Sequence, residues 1–206
     1  AGAIALAAAT DFKKGLRVPT AKASDLGDFL NAMSVFYQAT ENIEKTKSQF
    51  LLQKNDNGRS LLEDAVSARQ QIKLLVVAVA NFISNQLIQP NGLVSKSIAL
   101  NENLKPLAKY ELLDQTRAID SLIKAYELTK IDVYLWTAKN IYYSMNRLLY
   151  SDKMKFYQQS TEDEVQSGID LTKLLETYKN MLPLRSYLSP AEQDQFEQIF
   201  ASWLKT

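Results

Sequence analysis

Any chemistry done by this chain must run on carboxylates, hydroxyls, phenols and ammonium groups, because none of its 206 residues is histidine or cysteine. Imidazole is the side chain that ordinarily moves protons near neutral pH, and thiolate is the strongest common protein nucleophile. Without them the Glu-x-x-His pairs of a di-iron helical bundle cannot be built. Serine, threonine, aspartate, glutamate, lysine and tyrosine remain, but no nucleophile elbow and no glycine-rich phosphate loop places them in a recognisable frame.

The segment Gln53 to Asp64 comes nearest to a metal loop. Its glycine, Gly58, falls at the sixth position, and Asn55 and Asn57 supply oxygens at the third and fifth. The ends do not fit, since Gln53 stands where an aspartate is needed and Asp64 where a bidentate glutamate is needed. A polar turn between helices accounts for Asn55-Asp56-Asn57-Gly58 without an ion. Glu162, Asp163 and Glu164 are consecutive, so on a helix they fan around the axis instead of converging. The expectation is no catalytic residue, no cofactor and no bound metal.

Binding chemistry has two candidates. Lys13, Lys14, Arg17 and Lys22 form the densest basic cluster, but Asp11, Asp25 and Asp28 flank it and the formal charge of the whole chain is +1, so no field steers it toward nucleic acid. Aromatic residues crowd a later helical stretch. Tyr134, Leu135, Ala138, Ile141, Tyr142 and Met145 keep core spacing there, which leaves Trp136 and Tyr143 on the other side. Tyr150 follows seven residues on, and Trp136, Tyr143 and Tyr150 are the expected partner-binding residues.

The elements that carry these side chains read as helices throughout, with no strand-like alternation. Pro19, Pro90, Pro106, Pro183 and Pro190 fall between apolar-periodic stretches. Ser24 serves as N-cap of a first helix running to about Lys54, with Leu26, Phe29, Leu30, Met33, Phe36, Tyr37, Ile43 and Phe50 on one stripe. Ser60-Leu61-Leu62-Glu63 is a capping box opening a second helix. Its stretch Ile72 to Ile83 is apolar nearly all round, which predicts the most buried element of the fold. The run Leu74 to Ala80 is too short to span a bilayer.

A long irregular connection follows from Gln89 to Lys105. Pro106 then suits the first turn of a third helix carrying Leu112, Leu113, Ile119, Leu122, Ile123 and Tyr126. Residues 107–149 form either two helices bent at Thr129 to Asp132 or one kinked helix. Thr161 to Glu164 is a second capping box, followed by Val165, Ile169, Leu175, Tyr178 and Leu182. Ser189 as cap, Pro190 at the first position and Glu192 reaching back open the last helix, with Phe196, Ile199, Phe200, Trp203 and Leu204 on its inner face.

The predicted fold is therefore all-α: an antiparallel bundle of five or six helices around a single core, with residues 1–23 as an Ala-rich lead-in and 24–206 as the bundle. Leu75, Val79, Phe82, Leu122, Ile141 and Leu175 are its expected core. The small-residue run at the start is either a processing remnant or an Ala-rich helix. Read as the former, it places the protein in a periplasm or organelle lumen. The functional expectation is a non-enzymatic accessory subunit bound to a protein partner or larger complex, not membrane-spanning but compatible with peripheral association. The alternative is an extracytoplasmic sensor or carrier with a small-molecule pocket between helices.

Overall fold

A computed structural model of the chain describes residues 20–46, 54, 57–99, 106–107, 109–161 and 171–203. The Ala-rich run, Lys13, Lys14 and Arg17, Phe50, three members of the metal-like loop (Gln53, Asn55, Asp56), Glu162 to Val165, Ile169 and Leu204 lie outside the described residues.

Six α-helices dominate: α1 (Ala23–Lys45), α2 (Leu61–Phe82), α3 (Leu112–Thr129), α4 (Asp132–Leu148), α5 (Leu171–Arg185) and α6 (Pro190–Trp203). They form three successive hairpins, α1/α2, α3/α4 and α5/α6. Each odd-numbered helix packs on its neighbour in the odd series, α1 on α3 and α3 on α5, while the even-numbered helices pack on their own hairpin partners. Two layers result. The middle helix of the first layer, α3, is covered by α1, α5, α4 and α2.

The local signals explain most of the boundaries. The Ser60 hydroxyl accepts the Glu63 amide at 3.2 Å while the Glu63 carboxylate accepts the Ser60 amide at 2.8 Å, completing the expected capping box. Glu192 accepts both the Ser189 amide and its hydroxyl, at 2.7 and 2.6 Å, at the start of α6. Residues 107–149 are two helices. Lys130 takes a left-handed φ of 60° at the end of α3, which ends that helix, and α4 starts two residues later.

Several expectations are corrected. The helix α1 is capped at Lys22, not Ser24, and ends at Lys45, with Thr46 bonding back to Asn42. Pro106 does not open α3; it bridges to Ile98, and the helix begins at Leu112. Pro183 lies inside α5, in its last turn, where the missing N–H costs a single helical bond. Strands do occur: β1 (Thr20–Lys22) pairs antiparallel with β2 (Ser97–Ala99), and β3 (Tyr150–Ser151) with β4 (Phe156–Tyr157). The 89–105 connection is ordered over its first half by a turn at Pro90 to Gly92, in which Gly92 donates to the Gln89 carbonyl at 2.8 Å.

The larger correction concerns the core. Val79, Leu122 and Ile141 are buried, but Leu75 and Phe82 are half-buried and Leu175 is 58% exposed. In α5 the inward row is Leu174, Thr177, Met181 and Leu184, one residue out of register with the expected one. Nor is α2 the most buried helix, since Leu74 is 71% exposed. It belongs to the second layer of the first hairpin, packs on α1 and α3, and meets α4 through the Tyr134 hydroxyl, which donates to Asn81 at 3.0 Å. With the π-helical turn Ile83–Leu87 it forms one helical run of 27 residues containing an 18-residue window of mean hydropathy 1.2, long and apolar enough by those measures alone to cross a membrane. The most buried helix is α3, with eleven buried residues, five of them polar.

Two substitutions separate a tight site from a roomy one. Gly92 has φ of 85°, and a β-carbon there would lie 2.0 Å from the Ser144 hydroxyl oxygen, whereas one at Gly27 would meet Arg117 at 3.5 Å, an ordinary contact. Gly92→Ala should cost about 2–4 kcal/mol, and Gly27→Ala should be neutral or gain up to about 1 kcal/mol from helix propensity. Denaturant titration of both variants checks the contrast. Val79→Asp should abolish cooperative unfolding, because an unpaired charge at a site 2% exposed costs several kcal/mol.

Candidate functional site

The polar residues buried along α3 follow helical rows. Toward α1, the close approach at Gly27 brings Arg117 alongside, and two turns further along α3 Lys124 donates to Asn31 of α1 at 3.0 Å and to Asp120 at 2.6 Å. Toward α5, Arg117 donates twice to Glu176, at 3.0 and 2.6 Å, and Asn180 donates to Thr116 at 3.3 Å. Helix–helix contact is close on both sides, so even the polar positions of an ordinarily amphipathic helix lose water.

At the N-terminal end of α3 these rows meet three extended segments. The Gln115 side chain acts as a strand of one residue, accepting the Val94 amide at 2.6 Å and donating to the Val94 carbonyl at 2.8 Å. The Lys96 amide donates to the Lys109 carbonyl, and the Leu112 amide to the Gln159 carbonyl, both at 2.9 Å. The Ser95 hydroxyl donates to the Leu107 carbonyl. This scaffold holds Glu111 between two ammonium groups, with Lys96 donating at 2.6 Å and Lys109 at 3.5 Å.

Asp114 lies one turn along from Glu111. Only 5% of it is exposed, and its Oδ2 is buried with no hydrogen-bond partner. Its place in the first turn of α3 would favour the anion through the helix dipole. Burial wins, with help from the Glu111 charge, and the carboxyl is pushed up to about 6 against the partial compensation of Lys96 and Arg117. Glu111 goes the other way. Burial pulls it up, but the Lys96 and Lys109 ammoniums outweigh that and hold it below the usual carboxylate range. Two carboxyls one helical turn apart are thus split, one an anion and one able to exchange a proton near neutrality, which is the arrangement general acid–base chemistry uses.

The residues singled out by sequence fall elsewhere. Trp136 on α4 is 64% exposed; Tyr143 is 42% exposed and donates to Glu192 of α6 at 2.6 Å, a bond that pushes its phenol up to about 12 and helps, after Ser189, to hold Glu192 down to about 2. Tyr150 does not continue their line, because α4 ends at Leu148; it sits in β3, half-buried, with its ring edge-on to Tyr157 at 5.4 Å. Of the metal-like loop, Asp64 pairs with Arg59 at 2.9 Å. Among the described residues no three carboxylates are grouped to hold a metal ion. Sequence reasoning missed Asp114 and Glu111, whose one signal was an acid pair at the opening of a helix that the lysines of the preceding connection could reach.

No protein-family model and no curated protein matches the sequence. Solved structures do match, and what this chain shares with them is the fold, part of an α/α toroid of helical hairpins. A cellobiose 2-epimerase from Bacillus thermoamylovorans B4167 superposes with a TM-score of 0.61 at 12% identity, covering 87% of this chain and 43% of that one. An unsaturated glucuronyl hydrolase specific for heparin gives 0.57 at 12%, covering 93% and 48%. A D-mannose isomerase gives 0.53 at 12%, covering 88% and 59%. The chain spans about half the length of these structures.

The Asp114 carboxyl makes a pH-dependent prediction. The folded protein holds this proton more tightly than the unfolded chain, whose carboxyl titrates near 3.8. The group's contribution to stability is therefore fully present below about pH 4 and is lost as pH rises to about 6, above which both states are ionised. Asp114→Asn should remove that loss and raise stability at pH 7 by about 1–3 kcal/mol, with little change at pH 4. Urea titrations of both proteins at the two pH values measure it.

Proposed function

We propose that this chain is a saccharide-binding segment of the α/α-toroid class, in which Asp114 serves as the proton-exchanging carboxyl and Glu111 as the fixed anion beside it. The observation that carries this is Asp114 itself, a carboxyl that is buried with no hydrogen-bond partner for its Oδ2, at a cost in stability. Such a group is retained where its proton is used. The matched structures bear on the substrate class, because the epimerase, the hydrolase and the isomerase are all named for sugars or sugar acids. Proton transfer at carbon or at a glycosidic oxygen needs an acid–base carboxyl tuned toward neutrality. Neither imidazole nor thiol is required for that, so the composition of the chain is compatible with it.

Isothermal calorimetry with cellobiose, mannose and an unsaturated uronyl disaccharide tests the reading. At least one should bind with a dissociation constant of about 10 mM or tighter, with an affinity that changes through pH 6 in the natural protein and stays flat in Asp114→Asn. Absence of binding by all three in a folded protein, or binding indifferent to Asp114, would remove the proposal.

A second reading, the accessory subunit with Trp136 as anchor, rests on the 64% exposure of that indole. Trp136→Ala should then release the protein from any larger assembly in a native extract while shifting its melting temperature by no more than a few degrees. Tyr143→Phe should do less to assembly, since its hydroxyl is already bonded to Glu192.

A further inference from the structure

We propose that the groove between α5 and α6 is a binding site for an alkylated ammonium group, a small cation whose charge is wrapped in methyl or methylene groups. The groove measures about 280 Å³ and is lined by Leu174, Leu175 and Tyr178 of α5 and by Glu197, Phe200 and Trp203 of α6. It shares no residue with the Asp114 pair. Its floor is Leu174 and Phe200, which are 3% and 7% exposed, and its walls are the half-buried side chains of Tyr178 and Trp203.

Helical spacing brings the three rings together. Phe200 and Trp203 are three residues apart on α6 and share a face, and Tyr178 meets them from α5. The ring centroids of Tyr178 and Phe200 are 4.8 Å apart with their planes at 64°, and those of Phe200 and Trp203 are 4.3 Å apart at 72°. A flat molecule would stack on one of three rings so inclined and leave the others uncovered. A rounded group can touch several. Glu197 precedes Phe200 by three residues, which puts its carboxylate at the rim of the same groove.

Charge then selects among rounded groups. The faces of aromatic rings are negative, and Glu197 is the one residue charged at neutral pH among the described residues that line the groove, so an anion is repelled and a neutral ligand gains from burial alone. An ammonium gains from the rings and the carboxylate together, and alkylation lowers the cost of its leaving water. The Arg185 guanidinium already donates to Glu197 Oε1 at 2.5 Å. That pair is exposed on both sides, at 43% and 52%, and takes up one of two carboxylate oxygens, so Glu197 can receive a second cation.

Choline and the uncharged alcohol in which carbon replaces its nitrogen test this on the full chain, because they match in shape and differ in charge. The chain has two tryptophans, and Trp136→Phe, at an exposed position, leaves Trp203 as the reporter. Titrations at constant ionic strength, read by Trp203 emission in that variant and by calorimetry on the natural protein, should give choline a Kd of about 10 mM or tighter, about tenfold below that of the alcohol. Glu197→Gln should weaken choline binding about fivefold, and Arg185→Gln, by freeing the carboxylate, should strengthen it, both with unchanged circular-dichroism spectra. The opposite responses of these two variants separate recognition of charge from loss of packing. Equal binding of choline and the alcohol overturns the proposal and leaves a plain apolar slot. So does the absence of saturable choline binding by the natural protein, or an affinity unmoved by Glu197→Gln.

Discussion

Water is excluded from both flanks of α3, and the rest of the fold is arranged around that fact. Its neighbours α1 and α5 close on it from two sides while α4 and α2 cover a third, so even its serine, threonine, glutamine and aspartate side chains are buried. Each of those groups must then find a partner or carry a desolvation cost. Most do find one: Gln115 in the Val94 backbone, Asp120 in Lys124, Thr116 in Asn180, Ser121 in the Ala118 carbonyl. These bonds are directional, so they fix the rotation and height of α3 in a way that apolar packing by itself does not. Gly27 belongs to the same arrangement, since it lets α1 approach until its backbone faces the Arg117 β-carbon.

Against that background the Asp114 carboxyl stands apart. It is as buried as the groups that are paired, and its Oδ2 meets no donor. The surrounding charges do not rescue it, because Lys96 and Lys109 are committed to Glu111 and Arg117 to Glu176. One set of cations thus holds one carboxylate ionised and leaves its neighbour to be governed by burial. That division follows from the backbone, which delivers both lysines on the strand-like segments flanking Glu111, one turn of helix away from Asp114.

The sequence revealed the helices far better than it revealed which of their faces meet water. Capping boxes at Ser60 and Ser189 and the stripe through Tyr134, Ala138, Ile141 and Met145 are local signals, and local geometry honours them. Burial is not local. The apolar stretch of α2 was expected at the centre because it is apolar nearly all round, yet it sits in the second layer at the end of the series. The polar first turn of α3 was not among the expected core residues, yet it lies in the middle of the first layer. Leu112-Leu113-Asp114-Gln115-Thr116-Arg117 reads as an amphipathic start, and packing on both flanks buries its polar side, with Asn180 of α5 bonded to Thr116. The one-residue error in α5 has the same origin: Leu174 and Leu175 are equivalent in sequence, and the choice between them is made by α3.

A repeating hairpin fold also changes what an apolar surface means. In a bundle closed around one core, an exposed leucine such as Leu74 or Leu175 is an excess that the chain would be more soluble without. In a layer that grows by adding hairpins, each unit must present apolar side chains on both flanks, because the flank that meets the previous unit and the flank that meets the next are different faces of the same helix. The terminal units then necessarily carry one face with no neighbour. Exposed large hydrophobic residues lie on α1 and α2 at one end and on α5 at the other, and Val133, Trp136, Tyr143 and Leu148 add a further set on α4, while the middle inner helix, α3, has none among the described residues. On α2 and α5 this exposure makes the hydrophobic pattern broader than the core these helices bury.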